Sequence, residues 1–150
     1  MKNFNVRVYG ILVHENKVLV SDEHIKGMNI TKLPGGGLEY GEGTIECVIR
    51  EFKEELNLDI EVVSHFYTTD FFVNSAFSNN NQVISIYYTV KANGSLDFPV
   101  ALKPFSFTKK VEGAQSMRWV DLAKISENDF TFVIDKRIGD MLNNNWKNLF

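Results

Sequence analysis

The feature that most constrains the fold is the stretch LPGGGLEYGEG at residues 33–43. One proline and five glycines in this segment interrupt regular structure, so we predict an irregular bend there. Glycines let the backbone approach a ligand closely, and backbone amides near a helix N-terminus favour anions. A purely structural turn is an equally good interpretation of the stretch alone, because glycine occurs in turns of every kind.

An amphipathic helix is predicted directly after this bend, with Thr44 as its N-cap. Asn57 is predicted to end the helix, because asparagine readily adopts the left-handed conformation found at helix ends. At about 100° per residue, one stripe of apolar side chains would face the core. That stripe consists of Ile45, Val48, Ile49, Phe52 and Leu56.

Three glutamates on this helix, Glu51, Glu54 and Glu55, are three or four positions apart and therefore share one face. We expect Glu55 at the edge of the core. Arg50 can pair with Glu46 and Glu54, but one arginine does not neutralise the group. A divalent cation would, because Mg²⁺ and Mn²⁺ prefer carboxylate oxygens. Taken alone, the segment is more typical of a solvated charged face.

The bend and the helix together resemble the signature of the Nudix hydrolases, the MutT-type family. That signature runs glycine, five residues, glutamate, seven residues, then Arg-Glu-aliphatic-x-Glu-Glu-x-Gly-aliphatic. Phe52 replaces the aliphatic residue and Asn57 replaces the closing glycine, which leaves the charged positions intact. The residues in register are Gly36, Glu42, Arg50, Glu51, Glu54, Glu55 and Leu58.

The resemblance implies an α+β fold, the Nudix-type α/β/α sandwich with a mixed β-sheet flanked by helices, as one domain over residues 1–150. It also implies a pyrophosphohydrolase that uses Mg²⁺ or Mn²⁺ to hydrolyse a diphosphate linked to another group, by water attack on phosphorus. The implied metal ligands are Glu51, Glu54, Glu55 and the carbonyl of Gly35. The residues implied to orient the loop and helix are Gly36, Glu42 and Arg50.

The catalytic residues implied by the resemblance are Glu51, Glu54 and Glu112. Glu51 is one candidate for the general base. Many family members instead use a glutamate from a loop before the last sheet strand, and Glu112 lies in such a position, in KKVEGAQSMRWV. A solvated loop residue is an equally good interpretation of Glu112. Which glutamate acts as the base is left open.

Candidate substrate-binding residues lie outside the signature. Arg7 and Tyr9 alternate with Val6 and Val8 on the first predicted strand, and their face is either a pocket wall or an exposed sheet face. Phe72 belongs to an aromatic group that could stack on a nucleobase, although aromatics in strands more often pack in the core.

The remaining elements follow from apolar patterning. FNVRVYGILV and KVLVSD are predicted strands joined by the turn HENK, and EHIKGMNITK is predicted to be irregular. Two long strands, DIEVVSHFYTTDFFV and QVISIYYTVKA, flank the turn-rich segment NSAFSNNN, and SMRWVDL forms a short strand. A C-terminal helix is predicted from about Thr131, with Val133, Ile134, Ile138, Met141, Leu142 and Leu149 as its apolar residues.

Composition limits the partners and the compartment. A net charge of −3 argues against a general nucleic-acid binder, and no apolar run is long enough to span a membrane. The single cysteine, Cys47, favours a reducing cytoplasm and a structural thiol. We expect a small nucleotide derivative as the substrate, with a homodimer as a further possibility. The alternative function is a nucleotide-sensing Nudix-like module without catalysis.

Overall fold

The computed structural model describes residues 1–149, without the side chains of residues 145, 146, 148 and 149. The described chain divides into two compact units, the first of Met1–Leu12 with Pro34–Leu96 and the second of Val13–Leu33 with the described chain from Asp97 onward. The elements in chain order are β1 (Asn3–His14), β2 (Lys17–Ile25), β3 (Met28–Lys32), β4 (Gly35–Gly37), α1 (Thr44–Leu56), β5 (Ile60–Thr68), β6 (Asn74–Ser75), β7 (Ser78–Ala92), β8 (Ala114–Asp121), a 3₁₀ turn (Glu127–Asp129) and α2 (Val133–Leu149).

The first unit contains strands that pair in both directions. β1 pairs in parallel with β7 from Asn3↔Asn81 to Leu12↔Val90. β7 pairs antiparallel with β5 and β6, and β4 pairs antiparallel with β1. The predicted mixed sheet and the strand β7 are therefore confirmed. The strand predicted over residues 59–73 is confirmed as β5 only for Ile60–Thr68, and residues 69–73 lie outside it. The turn-rich segment before Gln82 was predicted too long, because β7 already begins at Ser78.

The glycine-rich stretch contains a strand that the sequence did not predict. In β4, Gly35, Gly36 and Gly37 lie opposite Tyr9, Val8 and Arg7 of β1. Gly35 has a φ of +150°, and a Cβ there would collide with the carbonyl oxygen of Val8. Only glycine allows the two backbones to lie this close. The predicted irregular bend is wrong for residues 35–37, whereas residues 38–43 do form a turn and loop.

α1 starts one residue earlier than predicted. Gly43, not Thr44, is the N-cap, and the carboxylate of Glu46 accepts its backbone N–H at 3.0 Å. The Thr44 hydroxyl instead forms a 2.6 Å hydrogen bond with the Tyr88 hydroxyl. Asn57 has φ 51° and ψ 36°, so the predicted left-handed helix stop is confirmed.

The buried face of α1 is rotated from the predicted stripe. Ile45 and Ile49 are 47% and 37% exposed, whereas the Glu51 side chain is only 14% exposed. The reason lies in β4: its glycines have no side chains, so polar side chains of the helix pack directly against the strand backbone. A Cβ on Gly36 would lie 2.5 Å from the Glu51 carboxyl carbon. The buried residues of α1 are Cys47, Val48, Phe52 and Leu56.

The second unit is built on β2, which pairs antiparallel with the end of β1, with β3 and with β8. The predicted turn HENK is confirmed, with Glu15 and Asn16 in the left-handed region. The segment EHIKGMNITK was wrongly predicted to be irregular. It forms the β2–β3 hairpin, whose turn residues Lys26 and Gly27 both have positive φ. The alternation of apolar and polar residues that indicates a strand is hidden here, because several polar residues on both strands are buried in pairs.

The predicted strand in SMRWVDL is confirmed as part of β8, and the predicted C-terminal helix is confirmed as α2. Its residues Ile134, Ile138 and Leu142 are buried, whereas Val133 is 52% exposed. Leu149 was also predicted among the apolar residues of this helix, and its side chain lies outside the described residues. Within the described chain, no helix is both long and apolar enough to cross a membrane.

Candidate active site

One guanidinium organises the acidic residues of the signature. Nε and Nη2 of Arg50 donate to the two oxygens of Glu42 at 2.9 and 2.7 Å, a bidentate contact. Nη1 donates to Glu51 Oε1 and to Glu54 Oε2, both at 3.1 Å. Nη1 also lies 3.7 Å from Glu39 Oε1. Four carboxylates share one cation, so the group retains an excess of negative charge.

Arg50 joins three segments of the first unit. It belongs to α1, its bidentate partner Glu42 belongs to the preceding loop, and Nη2 also donates to the carbonyl of Gly37 in β4 at 3.1 Å. The Arg50 hydrogen bonds, followed by the Glu39 backbone N–H, lower the pKa of Glu42 to about 2. The same pairing raises the pKa of Arg50. This geometry is that of a pair that orients the loop and helix.

Two further expectations about α1 have clear outcomes. Glu46, a predicted partner of Arg50, instead binds the Gly43 backbone N–H at the start of the helix, so that pairing was wrong.

Cys47 is buried, and its thiol donates to the Gly37 carbonyl at 3.6 Å. Burial, with a smaller contribution from Glu42, raises the pKa of Cys47 to about 12. A thiol with this pKa is not a nucleophile at neutral pH, which agrees with a structural role.

The three glutamates of the signature lie at different depths. The Glu51 carboxylate packs on the backbone of Gly36, where a Cβ would lie 2.5 Å from Oε1. Glu54 is 58% exposed. Glu55 is half-buried with its Oε2 atom buried, which confirms its expected place at the edge of the core. Carboxylate oxygens therefore line one side of α1 from the buried β4 backbone to solvent.

This donor set fits Mg²⁺ or Mn²⁺ in its chemistry, because both ions prefer carboxylate oxygens. However, the described residues contain no group of three or more His, Cys, Asp and Glu side chains arranged to hold a metal ion. Arg50 donates to both Glu51 and Glu54 in this arrangement. The metal ligands Glu51, Glu54, Glu55 and the Gly35 carbonyl remain a prediction.

Glu112 lies in the second unit, exposed but tethered. Its Oε1 accepts the backbone N–H of Lys26 at 2.7 Å, in the turn between β2 and β3. The next residue, Gly113, donates its own N–H to the carbonyl of His24 at 2.8 Å. The loop end that carries Glu112 is thus fastened to the hairpin, and the interpretation as a merely solvated residue is incomplete. Its role as a base remains a prediction.

The candidate substrate residues of β1 lie opposite the glycines of β4, with Arg7 paired to Gly37 and Tyr9 paired to Gly35. Side chains alternate along a strand, so Arg7 and Tyr9 point to the sheet face opposite the one that Glu51 contacts. Arg7 Nε donates to the Tyr9 hydroxyl at 2.6 Å. Phe72 is 67% exposed, after the end of β5. Substrate binding by these three residues remains a prediction.

Sequence reasoning missed two members of this region. Glu39 adds the fourth carboxylate, and its backbone N–H donates to the Glu42 carboxylate at 2.9 Å. These two glutamates lie three positions apart, on either side of the residues YG, and that spacing could have indicated their pairing across a turn. Tyr87 stacks on Tyr9 with ring centroids 5.3 Å apart, and Tyr9 is 5% exposed. No local pattern indicated this stack, because it depends on the parallel register of β1 and β7.

Comparison with known proteins supplies the family. A profile of the NUDIX domain matches residues 3–138. No curated protein sequence matches the chain. Among similar solved structures, the NUDIX hydrolase from Nitrosomonas europaea has a TM-score of 0.69 at 21% identity, over 99% of this chain and 75% of that chain.

Two further structures show the same fold. The MutT protein from Methanosarcina mazei has a TM-score of 0.67 at 19% identity, over 98% of this chain and 97% of that chain. An ADP-ribose pyrophosphatase from Streptococcus suis has a TM-score of 0.62 at 17% identity, over 96% and 92%. The predicted α+β Nudix fold is thereby confirmed. The chain therefore belongs to the Nudix family.

Proposed function

We propose that the chain uses Mg²⁺ or Mn²⁺ to hydrolyse a diphosphate bond in a nucleoside diphosphate linked to another moiety. The observation that carries this proposal is the position of Glu51. Its carboxylate packs against Gly36 of the glycine strand and is held, together with Glu54, by Arg50. Carboxylates beside a glycine-rich backbone combine oxygen ligands for a cation with close backbone access for phosphate.

The substrate class rests on two supports. The similar structure from Streptococcus suis is named an ADP-ribose pyrophosphatase, and ADP-ribose is a nucleoside diphosphate bearing a further group. In this chain, the cationic Arg7 lies directly across from Gly37 and beside the buried ring pair of Tyr9 and Tyr87. An arginine there would contact an anionic substrate on the sheet face opposite the one that Glu51 contacts, and the exposed Phe72 offers an aromatic face for a nucleobase.

The reaction requires a water to attack one phosphorus while the bridging phosphorus–oxygen bond breaks. The products are a nucleoside monophosphate and the phosphate ester of the other moiety. A divalent ion bound by Glu51, Glu54, Glu55 and the Gly35 carbonyl would supply charge neutralisation and activation of the water. A carboxylate accepts the proton from that water, and Glu51 and Glu112 are the two candidates. Arg50 and Glu42 hold α1 and its loop in place during this step.

The cellular setting proposed here follows from composition. The net charge of −3 and the single buried Cys47 support a cytoplasmic enzyme that acts on small nucleotide derivatives rather than on nucleic acid. A homodimer, implied by the family resemblance, is tested by light scattering coupled to size-exclusion chromatography.

The decisive experiment is a panel of nucleotide substrates assayed with Mg²⁺, Mn²⁺ or chelator, with phosphate read out after phosphatase coupling. We expect metal-dependent release of a nucleoside monophosphate, and a loss of kcat of about 100-fold or more in Glu54→Gln. Glu61→Gln is the matched control, because Glu61 is an exposed glutamate of the same unit paired with Lys91. Full activity in a folded Glu54→Gln variant would show that the site is assigned wrongly.

Two glutamine variants separate the candidate bases. Glu112→Gln keeps a side-chain oxygen that can accept the Lys26 N–H but cannot take a proton at neutral pH. If Glu112 is the base, this variant loses kcat while calorimetric Mn²⁺ affinity stays unchanged. If Glu51 is the base and a ligand, Glu51→Gln loses both. Loss of Mn²⁺ affinity in Glu112→Gln would contradict its assignment as a base only.

A nucleotide sensor is the second candidate function. The complete set of Glu51, Glu54 and Glu55 argues against it, since sensors can lose these carboxylates. The two functions differ in one measurement on the same panel. A sensor binds a nucleotide tightly in calorimetry with no turnover in any metal, whereas the enzyme turns over at least one substrate with Mg²⁺ or Mn²⁺.

A further inference from the structure

The second unit contains a buried carboxylate that serves none of the roles discussed so far. Asp22 of β2 is fully buried. Its Oδ1 accepts from the Thr31 hydroxyl at 2.7 Å and from Arg118 Nη2 at 3.0 Å. Its Oδ2 accepts from Arg118 Nε at 2.8 Å and from the backbone N–H of Phe105 at 3.2 Å. Every donor except Phe105 belongs to a neighbouring strand of the same unit.

Phe105 lies in the loop of residues 97–113, which ends with Glu112 and leads into β8. Its φ of 56° places it in the left-handed region, which a bulky residue adopts only when its surroundings hold it there. The hydrogen bond to Asp22 is such a restraint. The loop makes a second backbone contact one strand away, where the Ala101 N–H donates to the Met117 carbonyl at 2.8 Å.

The loop is thus fastened at four points: by Ala101 on β8, by Phe105 on Asp22, by Glu112 on the Lys26 N–H, and by Gly113 on the His24 carbonyl. The Phe105 contact is the one of these in which a charged side chain outside the loop holds the loop backbone. Arg118 holds both oxygens of the buried Asp22 carboxylate, at 2.8 and 3.0 Å, and so fixes the oxygen that accepts the Phe105 N–H.

We propose that Asp22, held by Arg118, is a positioning residue that sets the conformation of loop 97–113 and thereby the placement of Glu112. This inference rests on the proposed function only in giving Glu112 a part in hydrolysis. The positioning itself depends on contacts within one unit. Asp22 acts through the Phe105 backbone and touches no reacting group.

The neighbouring pair Glu23–Lys32 provides a matched control. It is another buried ion pair of the β2–β3 hairpin, at 3.0 Å, with side chains 12% and 7% exposed. Glu23 also accepts from Ser21 and Gln115, and Lys32 donates to the Leu33 carbonyl. Replacing this pair therefore removes a charge pair of the same hairpin and leaves the hydrogen bond between Asp22 and Phe105 in place.

The first test is hydrogen–deuterium exchange on the full chain carrying Asp22→Leu with Arg118→Met. Replacing both partners of a buried pair by apolar residues commonly preserves the fold. We expect exchange at least about tenfold faster in peptides spanning residues 97–113, and unchanged exchange in β5 of the first unit. The control Glu23→Leu with Lys32→Met should leave loop exchange at the wild-type rate. Unchanged loop exchange in the Asp22 pair variant, or equal acceleration in the control, overturns the proposal.

The second test asks whether Asp22 acts through Glu112. With a substrate from the panel and Mg²⁺, the Asp22 pair variant should lose about tenfold in kcat, since small misplacements of a reacting group cost this much or more. The combined variant, with Glu112→Gln added to the Asp22 pair variant, should lose no more kcat in total than Glu112→Gln loses alone. Losses that multiply overturn the route through Glu112. If every substrate fails, the proposed function is wrong, and loop exchange alone decides whether Asp22 positions the loop.

Discussion

The two charged networks built around Arg50 and Asp22 are opposites. Arg50 is one cation facing four carboxylates, one of them on a side chain that is 58% exposed. Asp22 is one carboxylate facing one cation and neutral donors, fully buried, with the Arg118 side chain 12% exposed. A balanced and buried network is complete without a ligand. An unbalanced network with carboxylate oxygens reaching solvent is suited to a cation from outside.

The largest expected effect comes from breaking the balanced network. Arg118→Met leaves Asp22 buried with its charge uncompensated, and we expect a loss of about 3–5 kcal/mol in the free energy of unfolding. Adding Asp22→Leu should recover most of that loss, because no unpaired charge then remains. Urea unfolding of the two variants and the wild type measures both steps. If Arg118→Met alone were as stable as the wild type, Arg118 would not be needed to compensate the buried charge of Asp22.

The same substitution in the unbalanced network should behave differently. Arg50→Met removes charged hydrogen bonds to Glu42, Glu51 and Glu54, and we expect a loss of about 1.5–3 kcal/mol. Here Mg²⁺ or Mn²⁺ should restore stability, because an ion bound to the native state stabilises by about 2.7 kcal/mol at 100 times its Kd. Thermal melting with and without each ion measures this. Arg118→Met is the control, and its melting shift with metal should equal that of the wild type.

The contrast also explains what the sequence predicted. The Arg50 network lies within one continuous signature, so the spacing of Gly36, Glu42 and the helix glutamates was enough to predict the region. Asn57 was predicted as the helix stop for the same reason, since its conformational preference is local. Where contacts connect residues close in sequence, the structure predicted from the sequence spacing agreed with the observed one.

The parts that were missed depend on distant partners. Asp22 and Arg118 are 96 positions apart, and no spacing rule relates them. The polar appearance of EHIKGMNITK suggested irregular structure, because alternation is lost when polar side chains are buried in pairs such as Glu23–Lys32. The rotation of α1 was missed because apolarity alone placed Ile45 and Ile49 inside. The side-chain-free surface of β4 draws Glu51 inward instead.

Gly36→Ala is expected to disturb the unbalanced network from its buried side. The new Cβ would lie 2.5 Å from Glu51 Oε1, so the carboxylate must move off the strand. We expect a loss of less than about 1 kcal/mol in stability, because the displaced atoms are the end of a flexible side chain, together with a weaker melting shift with Mn²⁺. Gly94→Ala is the control, because a Cβ there meets no atom within 4 Å. If Mn²⁺ raises the melting temperature of Gly36→Ala as much as that of the wild type, ion binding does not require Glu51 to pack on Gly36.

The smallest effect is a pH dependence confined to Glu42. Arg50 lowers the pKa of Glu42 from 4.5 to about 2, so the charged carboxylate stabilises the native state above its unfolded pKa. This stabilisation is complete above about pH 5 and is lost as the pH falls through the folded value. The melting difference between the wild type and Glu42→Gln should therefore be constant from pH 7 to about 5 and shrink below that. In an Arg50→Met background the difference should be smaller at every pH, because the largest cause of the lowered pKa is gone. A difference that disappears above pH 5 would show that Arg50 does not hold Glu42 in its charged form.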